Sequence, residues 1–500
     1  MKKIVFLLLL SGLFSLNLSA QMSGAKIGSF DNFGDIGAPG IPGTASFSEP
    51  SQIYNLSGSG ANIWFGKDSF SFLTRKINGD FILQTRVKFI GEGHELHRKT
   101  GLMIRKTTAS NSPAVACTVH GDGLTSLQYR VAPGDTMKEI KFTIKAPDVL
   151  QLEKKGNTYT MSVAHFGEVY QTEKIENLDL GTDLIAGLFI CSHNNKFSES
   201  VEFTNTRIFN TAPDDMVQYK SYLGSLLEIM DISSGQRQVL ASAPGSWQAP
   251  NWTPDNKTLI YNNSGKLYSF DLATRESTVL NTDYVTKNNN DHVLTFDGKQ
   301  LGISSSADEN KGQSVVYTVP VTGGVPKKIT TESPSYFHGW SPDSQYLLYT
   351  GQRNGDFDIH QISKDGGKEI RLTDAKGLDD GPEYSPDGKY IYFCSTRTGT
   401  MQVWRMDPDG KNQTQLTFDS LNNWFPHVSP DNKWIVFITF PKEVPADSHP
   451  FYKRVYLRLM PVAGGEMKVI GYLYGGQGTI NVPSWSPDSK KIAFVSNGNF

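Results

Sequence analysis

Three histidines, His292, His338 and His427, each stand a few residues ahead of a recurring turn phrase, and Glu383 stands ahead of another. Imidazole nitrogens brought beside a carboxylate would bind a metal ion, or supply a general base. Arg353 and Arg397 carry the paired donors that grip a carboxylate. Trp424 offers a flat apolar face to a sugar ring, while Gln477 and Asn481 would pair with hydroxyls. His449 lies in Asp447–Lys453, the only loop of its kind much longer than its equivalents, and extra loop length on a scaffold often marks function. These ten residues form the expected ligand-binding set, with His292, His338 and His427 as the metal set and no catalytic residue assigned. The competing expectation is bland: polar groups lining a channel are commonly hydrated, and a histidine at a strand entrance often only bonds its neighbour.

Such dispersed residues meet only if the fold brings them together. The C-terminal half repeats one phrase: Trp252-Thr-Pro-Asp, Thr295-Phe-Asp-Gly, Trp340-Ser-Pro-Asp, Tyr384-Ser-Pro-Asp-Gly, Val428-Ser-Pro-Asp and Trp485-Ser-Pro-Asp. Aligned on Pro254, Phe296, Pro342, Pro386, Pro430 and Pro487, the spacings are 42, 46, 44, 44 and 57 residues. That period fits one four-stranded propeller blade. The Pro-Asp-Gly or Pro-Asp-Asn corner is turn chemistry, and the aromatic two places before it is expected to wedge between blades. After the last phrase only Lys491–Val495 remains, while an unmatched strand pair, Ser225–Asp231 and Arg237–Leu240, lies upstream. Six blades closed by strand exchange between the two ends would leave no open edge. Loops leading into the innermost strands and loops joining the second and third strands then share one face around the channel.

The repeated aromatic-Ser-Pro-Asp-Gly-Lys phrase, followed by an apolar strand, resembles the TolB-like propeller repeat over residues 219–500. That resemblance implies an envelope binding or interaction module, and says little about chemistry because propellers host both binding and catalysis. Residues 21–211 lack the repeat and carry strand signals such as Asp80–Phe89 and Tyr159–Val163, so an all-β sandwich is expected there, with 212–218 as a linker. Phrases such as Gly58-Ser-Gly-Ala-Asn-Ile-Trp64 and Thr100-Gly-Leu-Met-Ile-Arg105 resemble the concanavalin-A-like (laminin-G-like) jelly roll, which implies a carbohydrate-binding or accessory role. His94 and His97, in Glu92-Gly-His-Glu-Leu-His97, are read as members of a solvated loop.

Residues 1–20 run Lys2-Lys3, an apolar stretch, then Leu18-Ser-Ala20, the order of a cleaved signal peptide, so a periplasmic or extracellular protein with no membrane span is expected. Forty-eight basic against fifty acidic residues give a net charge of −2, too little positive charge to favour nucleic acid. Three cysteines are too few for a disulfide scaffold, and 500 residues bury a core without one. No Gly-x-Ser-x-Gly elbow or P-loop is present, which excludes the propeller-plus-hydrolase peptidases and P-loop nucleotide chemistry. The leading function is therefore a non-catalytic binding protein for a glycan or a cell-envelope protein. The alternative is a metal-dependent lyase on uronate-containing oligosaccharides, because oligogalacturonate lyases resemble this region in placing His before such turns, at positions matched by His292 and His338; that resemblance implies a divalent metal such as manganese held there. A seven-bladed ring is expected of that family, and this chain supplies six.

Overall fold

One turn, built six times, organises the C-terminal half of the computed structural model, which describes Gly24 and residues 26–498. In each turn a hydroxyl bonds the aspartate two residues on: Thr253 to Asp255, Thr295 to Asp297, Ser341 to Asp343, Ser385 to Asp387, Ser429 to Asp431 and Ser486 to Asp488, all at 2.5–2.8 Å. The same hydroxyl accepts the backbone N–H five residues on, as from Tyr390 to Ser385 at 3.0 Å. The local sequence thus satisfies its own backbone polar groups and hands the chain into the next strand. The aromatic before the turn reaches the preceding blade. Trp340 Nε1 donates to the Val293 carbonyl and Trp485 Nε1 to the His427 carbonyl, each at 3.0 Å.

Five four-stranded antiparallel sheets follow in chain order: Trp247–Leu280, Asn288–Lys328, Ser335–Arg371, Asp379–Gln415 and Asn422–Gly475, here blades one to five. The sixth blade is stitched from both extremities. Lys491–Asn497 pairs with Ser225–Asp231, which pairs with Arg237–Ala243, and a Trp485–Ile492 bridge adds the innermost edge. The expected all-β class and six-bladed closure are both present.

The N-terminal part forms two seven-stranded antiparallel sheets. Leu73, Leu102, Val115 and Leu188 of one sheet and Leu83, Leu150, Met161 and Phe203 of the other share one apolar core, so alternate side chains of each sheet point inward. Cys117, Cys191 and Cys394 are all free and buried.

The sheets are fastened to the sixth blade by Glu228. It is fully buried and takes Arg207 from the N-terminal part at 2.8 Å, Arg237 at 2.6 Å and the Ser496 hydroxyl at 2.5 Å. A Gly167–Val469 bridge ties the N-terminal part to blade five as well. The segment between the two parts is packed down rather than loose. The Ala212 N–H donates to the Tyr474 hydroxyl and the Leu223 N–H to the Tyr452 hydroxyl. The leader read at residues 1–20 lies outside the described residues; among the described residues no helix is long and apolar enough to cross a membrane.

Candidate functional site at the propeller mouth

Every innermost strand of blades one to five breaks register with its neighbour near its start: between Gln248 and Asn251, Asn288 and His292, Phe337 and Gly339, Asp380 and Glu383, and Trp424 and His427. A bulge leaves residues unpaired and re-aims their side chains. The unpaired residues include Asn289, Asn290, Asp291, His338 and Phe425, and all five line one cavity of about 810 Å³ at this end of the channel. Phe425 and Gly381, inside two of these breaks, hold left-handed backbone at φ 53° and 62°. Tyr219 and Tyr222, just after the inter-module segment, border the cavity with Tyr336, Phe357, His449, Gln477 and Asn481. Phe451 of the long blade-five insertion holds Tyr219 edge-on at 5.2 Å.

The charged centre is a triad of Asp291, His338 and Asp380. His338 Nε2 lies 3.2 Å from Asp380 Oδ1, which also accepts the Thr350 hydroxyl at 2.7 Å and the Gly381 N–H at 2.8 Å. Burial works against a charged His338, but the Asp380 hydrogen bond and the two carboxylate charges outweigh it and hold its pKa above the usual value. Burial likewise opposes ionisation of Asp380, and His338 overcomes it, so that pKa is lowered. Asp291 makes no such close ion pair; its Oδ2 accepts the neutral Asn289 amide at 2.9 Å. Burial, with the Asp380 charge adding to it, pushes its pKa up to about 6. His449 is depressed, first by burial, and its Nδ1 faces the Gln477 amide oxygen, which in turn takes Asn481 Nδ2 at 3.1 Å. The mouth thus offers carboxylates, amides and tyrosine rings, and no arginine is among its described lining residues.

Of the ten expected residues, His338, His449, Gln477 and Asn481 come together here. The other six do not. His292 stands at the same offset from its turn as His338, but in blade two the break falls earlier, so Asp291 faces the channel. His292 is turned back opposite Ile303, fully buried, with Nε2 3.2 Å from the Ile260 carbonyl. Arg353 is occupied by Glu369 through two bonds of 2.9 and 2.7 Å, and by the Pro334 carbonyl and Ser335 hydroxyl. Arg397 pairs with Asp379 at 2.8 Å and lies over the Trp404 ring. Trp424 is fully buried behind His449 and Phe425, so no ring face is free for a sugar. Glu383 and His427 form a strut between blades, with His427 Nδ1 2.6 Å from Glu383 Oε2 and Nε2 2.8 Å from the Ile480 carbonyl. Glu383 borders a separate cavity of about 280 Å³ among the tryptophan and proline turns. The expected metal set is therefore not assembled: His292, His338 and His427 are spent on three different partners, and among the described residues they form no ligand cluster. Asp291, Asp380, Tyr219 and Tyr222 are the residues that the expected set lacked.

A family profile described as TolB beta propeller domain matches residues 338–446, the stretch that carries His338, Asp380 and Phe425. A solved structure described as a TolB candidate from Agrobacterium tumefaciens is 41% identical, covering 55% of this chain and 99% of that one at a TM-score of 0.53. An uncharacterised protein of Agrobacterium fabrum is 42% identical over 272 residues, which is 54% of this chain and 92% of that protein. The chain belongs to the TolB-like β-propeller family. Its TolB-like ring is also similar to a structure described as oligogalacturonate lyase in complex with manganese, at 16% identity and a TM-score of 0.39 over 56% of this chain and 88% of that one. A likeness at that level carries no argument for lyase or metal chemistry in this TolB-like chain.

Proposed function

We propose that this chain is an exported, non-catalytic binding protein whose TolB-like propeller holds a hydroxyl-rich glycan in the mouth of its channel. One observation carries the reading: a cavity of about 810 Å³ whose rim combines tyrosine rings with side-chain amides and three carboxylates, Asp291, Asp380 and Asp447. Rings supply apolar faces and amides and carboxylates pair with hydroxyls, the mixture that fixes orientation in small-ligand sites. The charge there favours a neutral or basic sugar over a uronate, because the lining Lys287 is paired with Asp308, and Arg353 and Arg397 are held in ion pairs elsewhere. The lyase reading loses its carboxylate grip for the same reason. A second reading, a segment of a cell-envelope protein in the same mouth, is supported by membership of the TolB-like family.

The two-sheet N-terminal part is assigned here as a concanavalin-A-like jelly roll with an accessory carbohydrate-binding role, on the glycine and tryptophan phrases quoted above. Export rests on the leader sequence. The test is a glycan array probed with the mature chain, followed by calorimetry on Asp380→Asn and Tyr222→Ala. Binding of a neutral or basic glycan that weakens in both variants supports the reading. Release of unsaturated product from acidic glycans, or binding indifferent to both changes, overturns it.

A further inference from the structure

Away from the propeller, the loop Glu92–Arg98 and the turn Gly121–Leu124 meet on the N-terminal part and are sewn together through the backbone. The Gly121 N–H donates to the Arg98 carbonyl and the Asp122 N–H to the Leu96 carbonyl, each at 2.9 Å. This stitching places His97, His120 and Asp122 so that one ligand atom from each lies within 4.8 Å of the other two, the only such cluster of three among the described residues. We infer that His97, His120 and Asp122 form a site for a borderline divalent transition cation of the zinc type.

The two exposed ligands stand close to coordination distance from each other. His97 Nδ1 and Asp122 Oδ2 are 3.8 Å apart, too far to hydrogen-bond. A tetrahedral zinc with ligands at about 2.0–2.1 Å would hold them about 3.3 Å apart. Both side chains are exposed and free to close that difference. Asp122 is already oriented, because its other oxygen accepts the Leu124 N–H at 3.0 Å.

His120 supplies the independent observation. It is 6% exposed, and its Nδ1 is buried without a hydrogen-bond partner among the described residues, as is the Gln128 amide oxygen beside it. His120 Nε2 lies 3.4 Å from the Gln128 amide nitrogen. A half-turn of that amide lets its oxygen accept from Nε2–H and from the Ser126 hydroxyl. With Nε2 engaged by Gln128, Nδ1 is the ring nitrogen available to a metal, and a hydrogen-bonded partner on the other nitrogen is the kind that metal-ligating histidines use. A metal on Nδ1 would give that orphaned nitrogen its partner.

Two imidazoles and one carboxylate select the zinc class over calcium or magnesium, which take oxygen ligands. Lys99 is the opposing charge. Its Nζ is held off on the Asn62 side-chain oxygen, the His97 carbonyl and His193 Nδ1, at 3.1–3.2 Å. Three protein ligands leave the remaining position to water.

The test uses the untagged full mature chain, stripped with chelator and titrated with zinc by calorimetry, with metal content by mass spectrometry and the absorption spectrum of the cobalt form. One zinc per chain is expected. Affinity should fall more than about tenfold in His97→Ala and in Asp122→Asn, two exposed changes that leave folding intact, and about tenfold in Gln128→Leu, which touches only the supporting partner. No stoichiometric uptake, uptake that survives both exposed changes, or uptake abolished by His338→Ala would overturn the inference. None of these results bears on glycan binding at the propeller mouth.

Discussion

His338 Nε2 sits 3.2 Å from Asp380 Oδ1, and this pair, from blades three and four, sets the charge of the propeller mouth. Asp291 of blade two shares its field without sharing its close hydrogen bond. The pair is worth most while His338 is protonated and Asp380 ionised. Changing Asp380→Asn removes the partner that raises His338, so the His338 pKa is expected to fall, read from its ring proton shifts against pH.

Asp291 gives a stability signature of opposite sense to the usual carboxylate. Its folded pKa is raised to about 6 from 3.8. The folded state therefore holds the proton more tightly, and this contribution is present below the unfolded pKa and lost as pH rises through about 6. Thermal midpoints measured from pH 4 to 7 should show a decline in the wild type that Asp291→Asn flattens.

Glu228 behaves the other way. Burial opposes its charge, but Arg207 and Arg237 outweigh that and hold its pKa down at about 2. Its contribution is full above the ordinary carboxylate pKa and disappears as pH falls from about 4.5 towards 2. At pH 7 Glu228→Gln leaves two buried guanidinium groups without a counter-charge, at a cost of roughly 3–5 kcal/mol. Denaturant unfolding should show that loss, with the contact between the N-terminal part and the sixth blade weakening first.

Arg353 is a structural clamp on the start of its own blade rather than a ligand contact. Arg353→Ala should cost about 1–3 kcal/mol in stability, since Glu369 and the Pro334 carbonyl lose their donors. Affinity for any ligand of the mouth should be unchanged when calorimetry is run well below the lowered melting point.

Deleting Lys491–Phe500 removes the strand that pairs with Ser225–Asp231 and reopens the ring. Because closure of the ring rests on that pairing, the truncated chain should lose cooperative unfolding rather than melt a few degrees lower. Calorimetric and optical transitions of the truncated chain are then expected to separate.

Much of this architecture was legible because each turn is local: a hydroxyl and an aspartate two residues apart make the same bonds wherever the phrase occurs. Strand exchange was legible because the two unmatched strands at one end of the ring complement the shortfall at the other. The site was legible only in part. His292 and His338 share an offset, but which residue faces the channel depends on where the ladder breaks, and no residue type ahead of the turn encodes that register. Arg353 and Arg397 looked free because Glu369 and Asp379, their partners, are 16 and 18 residues away in sequence. Tyr219 and Tyr222 reach the mouth because residues 212–223 pack on Phe451, Tyr452 and Tyr474, more than two hundred residues later. Such placement is tertiary and leaves no local trace.

The most direct test of the account is a histidine-selective NMR titration of the mature chain with the tightest-binding glycan from the array. The ten histidines are spread over the chain, and His338 and His449 are the two that line the mouth. The account predicts that these two resonances move together with ligand while His97, His120 and His193 stay still. Ligand shifts confined to the N-terminal histidines, or no binding by any glycan on the array, would contradict it.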